Sequence, residues 1–402
     1  MAEIKKATTT DHAFPRNYSN EFLILDKGIG VYLFDVSGKK YLDFGSGIAV
    51  NALGYGNKKI AEIAHKQMEK LIHVSNLFTT EPALEFASKL VDGNRFTAVH
   101  FGNSGSEANE SALKYAKLYS LRTKGDGNFK VLSFSGAFHG RTMGALSITY
   151  NKKYKEPFGP MVPGSEIIEF NNVDLLKKTL DASYAAVIVE VVQGEGGLYS
   201  MTSEFAIALR DLCTKYKVIL IADEVQTGLG RTGSLYASDG MKLDADIITL
   251  SKPIAGGLPL SATLIPDFIN DKIKVGEHGT TFGGGPVTTA IASYIWDIIN
   301  DQKFLDDVKS KSSYLMGKLK DLSREFPFIK EIRGKGLLLG LEIFEDDQVD
   351  VLKIMTMARD KGLLLLKTGV NVLRMAPPLI ISEKEIDEGI TILKSVLKEI
   401  KK

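Results

Sequence analysis

Cysteine is almost absent: Cys213 is the one example in 402 residues. A single thiol excludes an intrachain disulfide framework and a cysteine-rich metal site. It stands in LRDLCTKYKV (209–218), near the expected end of a helix, where buried packing is its expected role. Excess charge of either sign is absent too. The 50 basic and 49 acidic residues leave a net charge of +1, so no overall pull toward nucleic acid or an anionic membrane is expected. No apolar run reaches the roughly 18 residues of a membrane-spanning helix. The opening MAEIKKATTTDHAF lacks the apolar centre of a signal peptide. Internal repeats and low-complexity segments are missing as well. The expectation is a soluble cytoplasmic protein with no metal.

What is present is enough apolar material for a large core. The chain is 44% hydrophobic, and its length favours two domains over one. Residues 31–47 read as two short strands around the turn Ser37-Gly38-Lys39, followed by helical patterns at 57–72 and 82–92. From about residue 97, apolar runs alternate with glycine-bearing turns and helices. The runs are TAVHF (97–101), KVLSF (130–134), AAVIVEVV (185–192), VILIAD (218–223) and DIITL (246–250), with helices at 106–122, 173–180 and 203–216. This alternation predicts an α/β fold with a mostly parallel central sheet flanked by helices. Beyond 286 a helical run to 324, a hairpin at 329–344 with the turn GKG, a helix at 349–361 and a helix from 383 predict a smaller α+β domain. The expected division is 1–50, joining the small domain; 51–285, the large domain; and 286–402, the small domain. The N-terminal hairpin is placed with the small domain because a lone hairpin is marginal in water.

Ligands of an open parallel sheet bind outside the carboxyl ends of its strands. After TAVHF comes GNSGSEANE, where Gly105 and Ser106 open a helix. Its free N–H groups suit a phosphate, although an ordinary capped turn reads the same way. After KVLSF, Phe138 offers a ring for stacking and Arg141 a fork for a carboxylate; core packing and a surface pair are the plainer readings. After AAVIVEVV, Glu195 lies between glycines and is free to change partners, or is simply a surface loop residue. Asp223 ends VILIAD, where a carboxylate is costly unless paired, for example with a protonated ring nitrogen; capping is the alternative. The following GLGRTG (228–233) opens no helix and is not a dinucleotide fingerprint. Lys252 follows DIITLS, and adjacent strands would bring it to Asp223. A lysine so placed loses its proton readily and can form a Schiff base. Gly256 and Gly257 then allow a sharp turn. An aromatic stacker, an acid, a lysine and a phosphate loop are together the needs of pyridoxal phosphate.

At this point the chain resembles the class III aminotransferases, pyridoxal-phosphate enzymes of fold type I, from about Tyr18 to Ile381. The motifs NSGSEANE, FHGRT, VEVVQGEGG, ADEVQTGLGRTG, LSKPIAGG, HGTTFGG and LRMAPPL occur in the family's order. The likeness is greatest to its acetylornithine branch, through GIAVNALG (47–54) and FHGRT. The resemblance implies that Lys252 is the Schiff-base lysine and that Asp223 pairs with the ring nitrogen. It places Phe138 and Val225 on the two ring faces and Gln226 on the phenolic oxygen. Gly105 and Ser106 take the phosphate, and Thr281 reaches the phosphate of a second subunit, so a homodimer is implied. Arg141 is expected to bind the carboxylate farther from the reacting carbon, and Arg374 the α-carboxylate of glutamate. Glu195 is expected to mask Arg374 while an ω-amino donor is bound, and Tyr18 is a further substrate contact. The family usually has Asn at Gly285 and Pro at Val191, His and Pro within GYGNKK (54–59), and no proline at Pro253.

The implied reaction moves the terminal amine of N2-acetylornithine to 2-oxoglutarate, in arginine biosynthesis. Ile48 stands where ornithine-specific relatives carry tyrosine. It also suits 4-aminobutyrate aminotransferases, the alternative reading together with other ω-amino acids. An aminomutase acting on glutamate 1-semialdehyde is disfavoured by Arg374 and QGEGG, since an internal amine shift needs no switch between two substrates. A non-enzymatic scaffold is disfavoured because idle charged groups in a cleft carry a desolvation cost.

Overall fold

A computed structural model describes Pro15, Asn17 and residues 23–344 and 349–400. Strands β1 (Leu25–Ile29), β2 (Tyr32–Asp35) and β3 (Lys40–Asp43) come first. The turn between β2 and β3 falls where the sequence places it. Asp35 Oδ1 closes it by accepting from the N–H groups of Ser37 at 2.8 Å and Lys39 at 3.0 Å.

The apolar runs form β4 (Ala98–Gly102), β5 (Lys130–Phe134), β7 (Tyr184–Val189), β8 (Ile219–Asp223) and β9 (Ile247–Leu250). Two further strands, β6 (Ser165–Ile168) and β10 (Ser261–Ile265), are not foreseen in the sequence reading. The seven-stranded order is β4-β10-β9-β8-β7-β5-β6. β6, β5, β7, β8 and β9 run parallel, whereas β10 is antiparallel to both β4 and β9. The connection 251–260 is too short for a crossover helix, so β10 has to return antiparallel.

Both faces of this sheet are buried, which is why its strands read as continuous apolar runs. Val131, Ala186, Ile188, Ile219, Ile221 and Ile247 point to one side, against Ala112, Leu113 and Ala116 of helix Gly105–Lys124. The alternate residues Leu132, Val187, Leu220 and Ile248 belong to the larger core on the other side. Each fully buried Val, Leu or Ile stabilises the fold by about 1.5–3 kcal/mol. Helix Gly105–Lys124 lies across β4 and β7 to β10, so its N-terminus is held at the strand ends. Cys213 is fully buried in helix Ser203–Tyr216, as its context implies.

The helical run after 286 is two helices, Pro286–Ile299 and Gln302–Glu325. Asp301 caps the second by accepting from Lys303 N at 2.7 Å, a break that apolar periodicity alone does not signal. Helix Pro286–Ile299 packs on helices Lys58–Lys70 and Glu81–Val91. Farther on, β11 (Ile329–Lys335), β12 (Leu338–Ile343), β14 (Leu366–Thr368) and β15 (Val372–Met375) form an antiparallel sheet ordered β11-β12-β15-β14. Between them β13 (Leu363–Leu364) pairs parallel with β3, tying the N-terminal hairpin to the C-terminal part. Helix Glu383–Ile400 closes the described chain.

Candidate active site

Asp223 ends β8 and Lys252 follows β9 by two residues; Asp223 and Thr249 are paired across the two parallel strands. The strand order therefore brings the acid and the lysine to one edge. Lys252 has φ of 36°, in the left-handed region that costs a side chain about 1–2 kcal/mol. Its neighbour Ser251 is fixed by donating from Oγ to Leu260 O at 3.0 Å. Pro253 occupies the first turn of the short 3-10 helix Lys252–Ala255, where a missing N–H leaves no gap. Burial lowers the Lys252 amine from its ordinary value to about 8. The charges of Glu195, Asp223 and Glu190 work against that shift, and the charge of Arg374 works with it.

Asp223 is buried and held by three contacts. Its Oδ2 accepts from Asn109 Nδ2 at 2.8 Å and from His139 Nδ1 at 2.7 Å, and its Oδ1 accepts from Val225 N at 3.1 Å. A carboxylate without a proton can only accept, and against such an Asp223 the His139 ring donates from Nδ1. His139 Nε2 is buried without a partner among the described residues. Asn109 is itself fixed, accepting from Thr249 Oγ1 at 2.8 Å and donating to His139 O at 2.7 Å.

The helix start and the FHGRT loop are in contact. Ser104 caps the helix, accepting from Glu107 N at 3.3 Å. Ser106 Oγ accepts from Arg141 N at 3.2 Å, and Glu110 Oε1 accepts from Thr142 Oγ1 at 2.6 Å and Ala145 N at 3.0 Å. Gly140, at φ of 136°, passes so close that a Cβ there would lie 2.2 Å from Ser106 Oγ. The N–H groups of Gly105 and Ser106 have no acceptor among the described residues, as expected for a first helical turn. Val225 lies against Gly105, and Gln226 is buried against Gly194.

Glu190, at the end of the β7 run, joins two loops. Its Oε2 accepts from Phe138 N at 3.0 Å and its Oε1 from Gly194 N at 3.1 Å. Burial pushes this carboxyl up to about 7; His139 opposes the shift and Asp223 adds to it.

Two arginines differ sharply. Arg374, on β15, is buried, and its Nη1 donates to Glu195 Oε1 at 2.5 Å and to Gly194 O at 3.0 Å. Its Nε is buried without a partner among the described residues. Arg141 is exposed and has no carboxylate partner among the described residues. Its guanidinium rests 3.6 Å from the Tyr154 ring centroid and 5.6 Å from that of Phe138. Thr281 is exposed and makes no hydrogen bond among the described residues. Tyr18 lies outside the described residues. Ile48 is exposed at the tip of a turn in which Ser46, Gly47, Ile48 and Ala49 all have positive φ.

His139, Asn109 and Glu190 carry no role in the sequence reading. His139 lies inside FHGRT and Asn109 inside NSGSEANE. Glu190 is a carboxylate closing an apolar run, the same signal that singles out Asp223.

The family model described as aminotransferase class-III matches residues 13–397. The chain is 43% identical to a probable mitochondrial acetylornithine aminotransferase of Dictyostelium discoideum, over 93% of this chain and 83% of that protein. It is 40% identical to an acetylornithine aminotransferase of Methanocaldococcus jannaschii, over 94% of each. Among solved structures, an ornithine aminotransferase of Toxoplasma gondii with partial occupancy of PLP at its active site superposes with a TM-score of 0.92. That match has 30% identity and covers 100% of this chain and 99% of the other.

Proposed function

The chain belongs to the class-III aminotransferases, and on that premise we propose that it moves the terminal amine of N2-acetyl-L-ornithine to 2-oxoglutarate, giving N-acetyl-L-glutamate 5-semialdehyde and L-glutamate, a step of arginine biosynthesis. The observation that carries this reading is the contrast between the two arginines. Arg141 is open to a carboxylate, while Arg374 is covered by Glu195 at 2.5 Å. Such a site takes a donor with one carboxylate and an uncharged tail. It takes a dicarboxylate only when Glu195 moves aside.

Pyridoxal 5'-phosphate, the cofactor of this class, supplies when bound an electron sink for the substrate carbon that loses its proton. The donor set suits it: an amine that sheds its proton readily, a buried carboxylate, and a helix start with free N–H groups. In our reading Lys252 Nζ holds the cofactor and later carries the proton. Asp223 holds the proton of the ring nitrogen, with His139 and Asn109 keeping that carboxylate in place. Phe138 and Val225 would hold the ring, and Gln226 its phenolic oxygen. Gly105 and Ser106 hold the phosphate, joined by Thr281 of a second copy. Arg141 takes the distal carboxylate of either substrate, and Arg374 the α-carboxylate of glutamate. Tyr18 stays a proposed substrate contact.

The proposed assembly is a homodimer with shared sites. It is supported by the exposure of Thr281 beside Phe282, together with that of Leu77 and Phe78. Among the described residues no helix is long and apolar enough to cross a membrane; the cytoplasm is the proposed location. The division 1–50, 51–285 and 286–402 is likewise proposed. The β3–β13 pairing supports its N-terminal part; helix Pro286–Ile299, at the start of the third part, packs on helices Lys58–Lys70 and Glu81–Val91 of the second.

The test is an absorbance scan of the protein with bound pyridoxal phosphate against N-acetylornithine, 4-aminobutyrate and ornithine in separate cuvettes. The cofactor band should fall fastest with N-acetylornithine. A faster fall with 4-aminobutyrate keeps the transferase and replaces the donor. Turnover of glutamate 1-semialdehyde without an oxo-acid acceptor would instead mark an aminomutase.

A further inference from the structure

One buried side chain fastens both ends of the loop that carries Glu195. Thr368, the last residue of β14, is 3% exposed. Its Oγ1 donates to Gly194 O at 2.8 Å and accepts from Gly197 N at 3.2 Å. The next residue, Gly369, donates its N–H to Glu195 O at 3.1 Å. Gly369 has φ of 57°, and a Cβ there would lie 3.1 Å from Gly197 Cα, so the two segments are in direct contact. The remaining holds are single. Arg374 Nη1 donates to Gly194 O at 3.0 Å, Arg333 Nη1 to Gly197 O at 3.3 Å, and Gly194 N to Glu190 Oε1 at 3.1 Å.

The loop Gly194-Glu195-Gly196-Gly197 has three glycines in four residues and little stiffness of its own. While Glu195 is paired with Arg374, that ion pair also holds the loop. When a substrate carboxylate takes Arg374, the pair is gone and the Thr368–Gly369 clasp, with the single contacts of Arg333 and Glu190, has to hold the loop. If it fails, Gly194 O leaves Arg374 as well, and the guanidinium loses the contact that aims it.

We propose that Thr368 is a positioning residue for the dicarboxylate substrate: it keeps the 194–197 backbone in place so that only the Glu195 side chain moves when a carboxylate occupies Arg374. The inference rests on the functional reading above and adds to it the residue that confines the exchange.

The experiment measures binding of two unreactive probes to the holoenzyme by calorimetry. Glutarate stands for the dicarboxylate, and N-acetyl-L-norvaline for the donor without its terminal amine. Thr368→Val keeps the volume and removes the hydroxyl. It should weaken glutarate by about fivefold or more, the worth of one net hydrogen bond, and leave N-acetylnorvaline within about twofold. Thr368→Ser should restore glutarate binding. Thr368→Ala replaces Thr368→Val if that variant does not fold. Equal weakening of both probes, or no change in either, overturns the assignment of Thr368. A wild-type holoenzyme that binds neither probe overturns the reading of the site, and this inference with it.

Discussion

His139 Nδ1 lies 2.7 Å from Asp223 Oδ2, with both side chains buried. Together with Asn109 it leaves Asp223 Oδ2 no freedom to turn away. His139→Leu removes one hydrogen bond to a charged acceptor, worth about 1.5–3 kcal/mol, so kcat should fall about tenfold or more. Circular dichroism should show an intact fold. An unchanged kcat would place the charge control of Asp223 elsewhere.

Lys252→Ala should abolish turnover while the protein still takes up pyridoxal phosphate, and normal turnover would remove Lys252 from its role. A second consequence concerns stability without cofactor. Burial lowers the Lys252 amine to about 8 from its ordinary value of 10.5. Between those values the unfolded chain binds a proton that the folded chain does not, so this group's contribution to stability rises with pH across that window. Below it the burial cost is carried in full. Cofactor-free Lys252→Met should therefore melt above wild type at neutral pH, with the gap narrowing as pH climbs toward 10.5. Scanning calorimetry over this range checks it; a gap independent of pH contradicts the assignment.

Arg141→Ala should impair both half-reactions, because each substrate offers it a carboxylate. Arg374→Ala should impair only the half-reaction with glutamate or 2-oxoglutarate. Loss of a charged hydrogen-bonding partner is worth about 2–5 kcal/mol, which is at least tenfold in kcat/KM. Single-turnover kinetics of the two half-reactions separate the variants. Identical profiles would mean that the two arginines do not divide the carboxylates as proposed.

Ile48 has φ of 64°, a conformation that a β-branched residue rarely adopts. Ile48→Gly should relieve about 1–2 kcal/mol of backbone strain and give back roughly 0.5–1 kcal/mol through the looser unfolded chain. A net gain of up to about 1.5 kcal/mol in denaturant unfolding is expected. A clear loss would show that the Ile48 side chain contributes packing that outweighs its strain.

The chain by itself determined five of the seven strands of the large sheet and its working edge. Runs such as VILIAD and DIITL are apolar at every position because both faces of the strand are covered, and that signal is local. Asp223 and Lys252 are therefore legible as strand-end residues, and Phe138, Arg141 and the Gly105–Ser106 helix start by the same logic. Tertiary structure decided what these groups meet. β10 inserts antiparallel between β4 and β9, an arrangement set by a short connection and a free edge rather than by periodicity. Arg374 meets Glu195 across 179 residues, and Asp223 meets Asn109 across 114. Contacts of that range leave no pattern along the chain, because a side chain's partner depends on strand order and on which face of a helix turns inward. The same holds for Thr368, an unremarked threonine in the sequence until β14 lays it across both ends of the Glu195 loop.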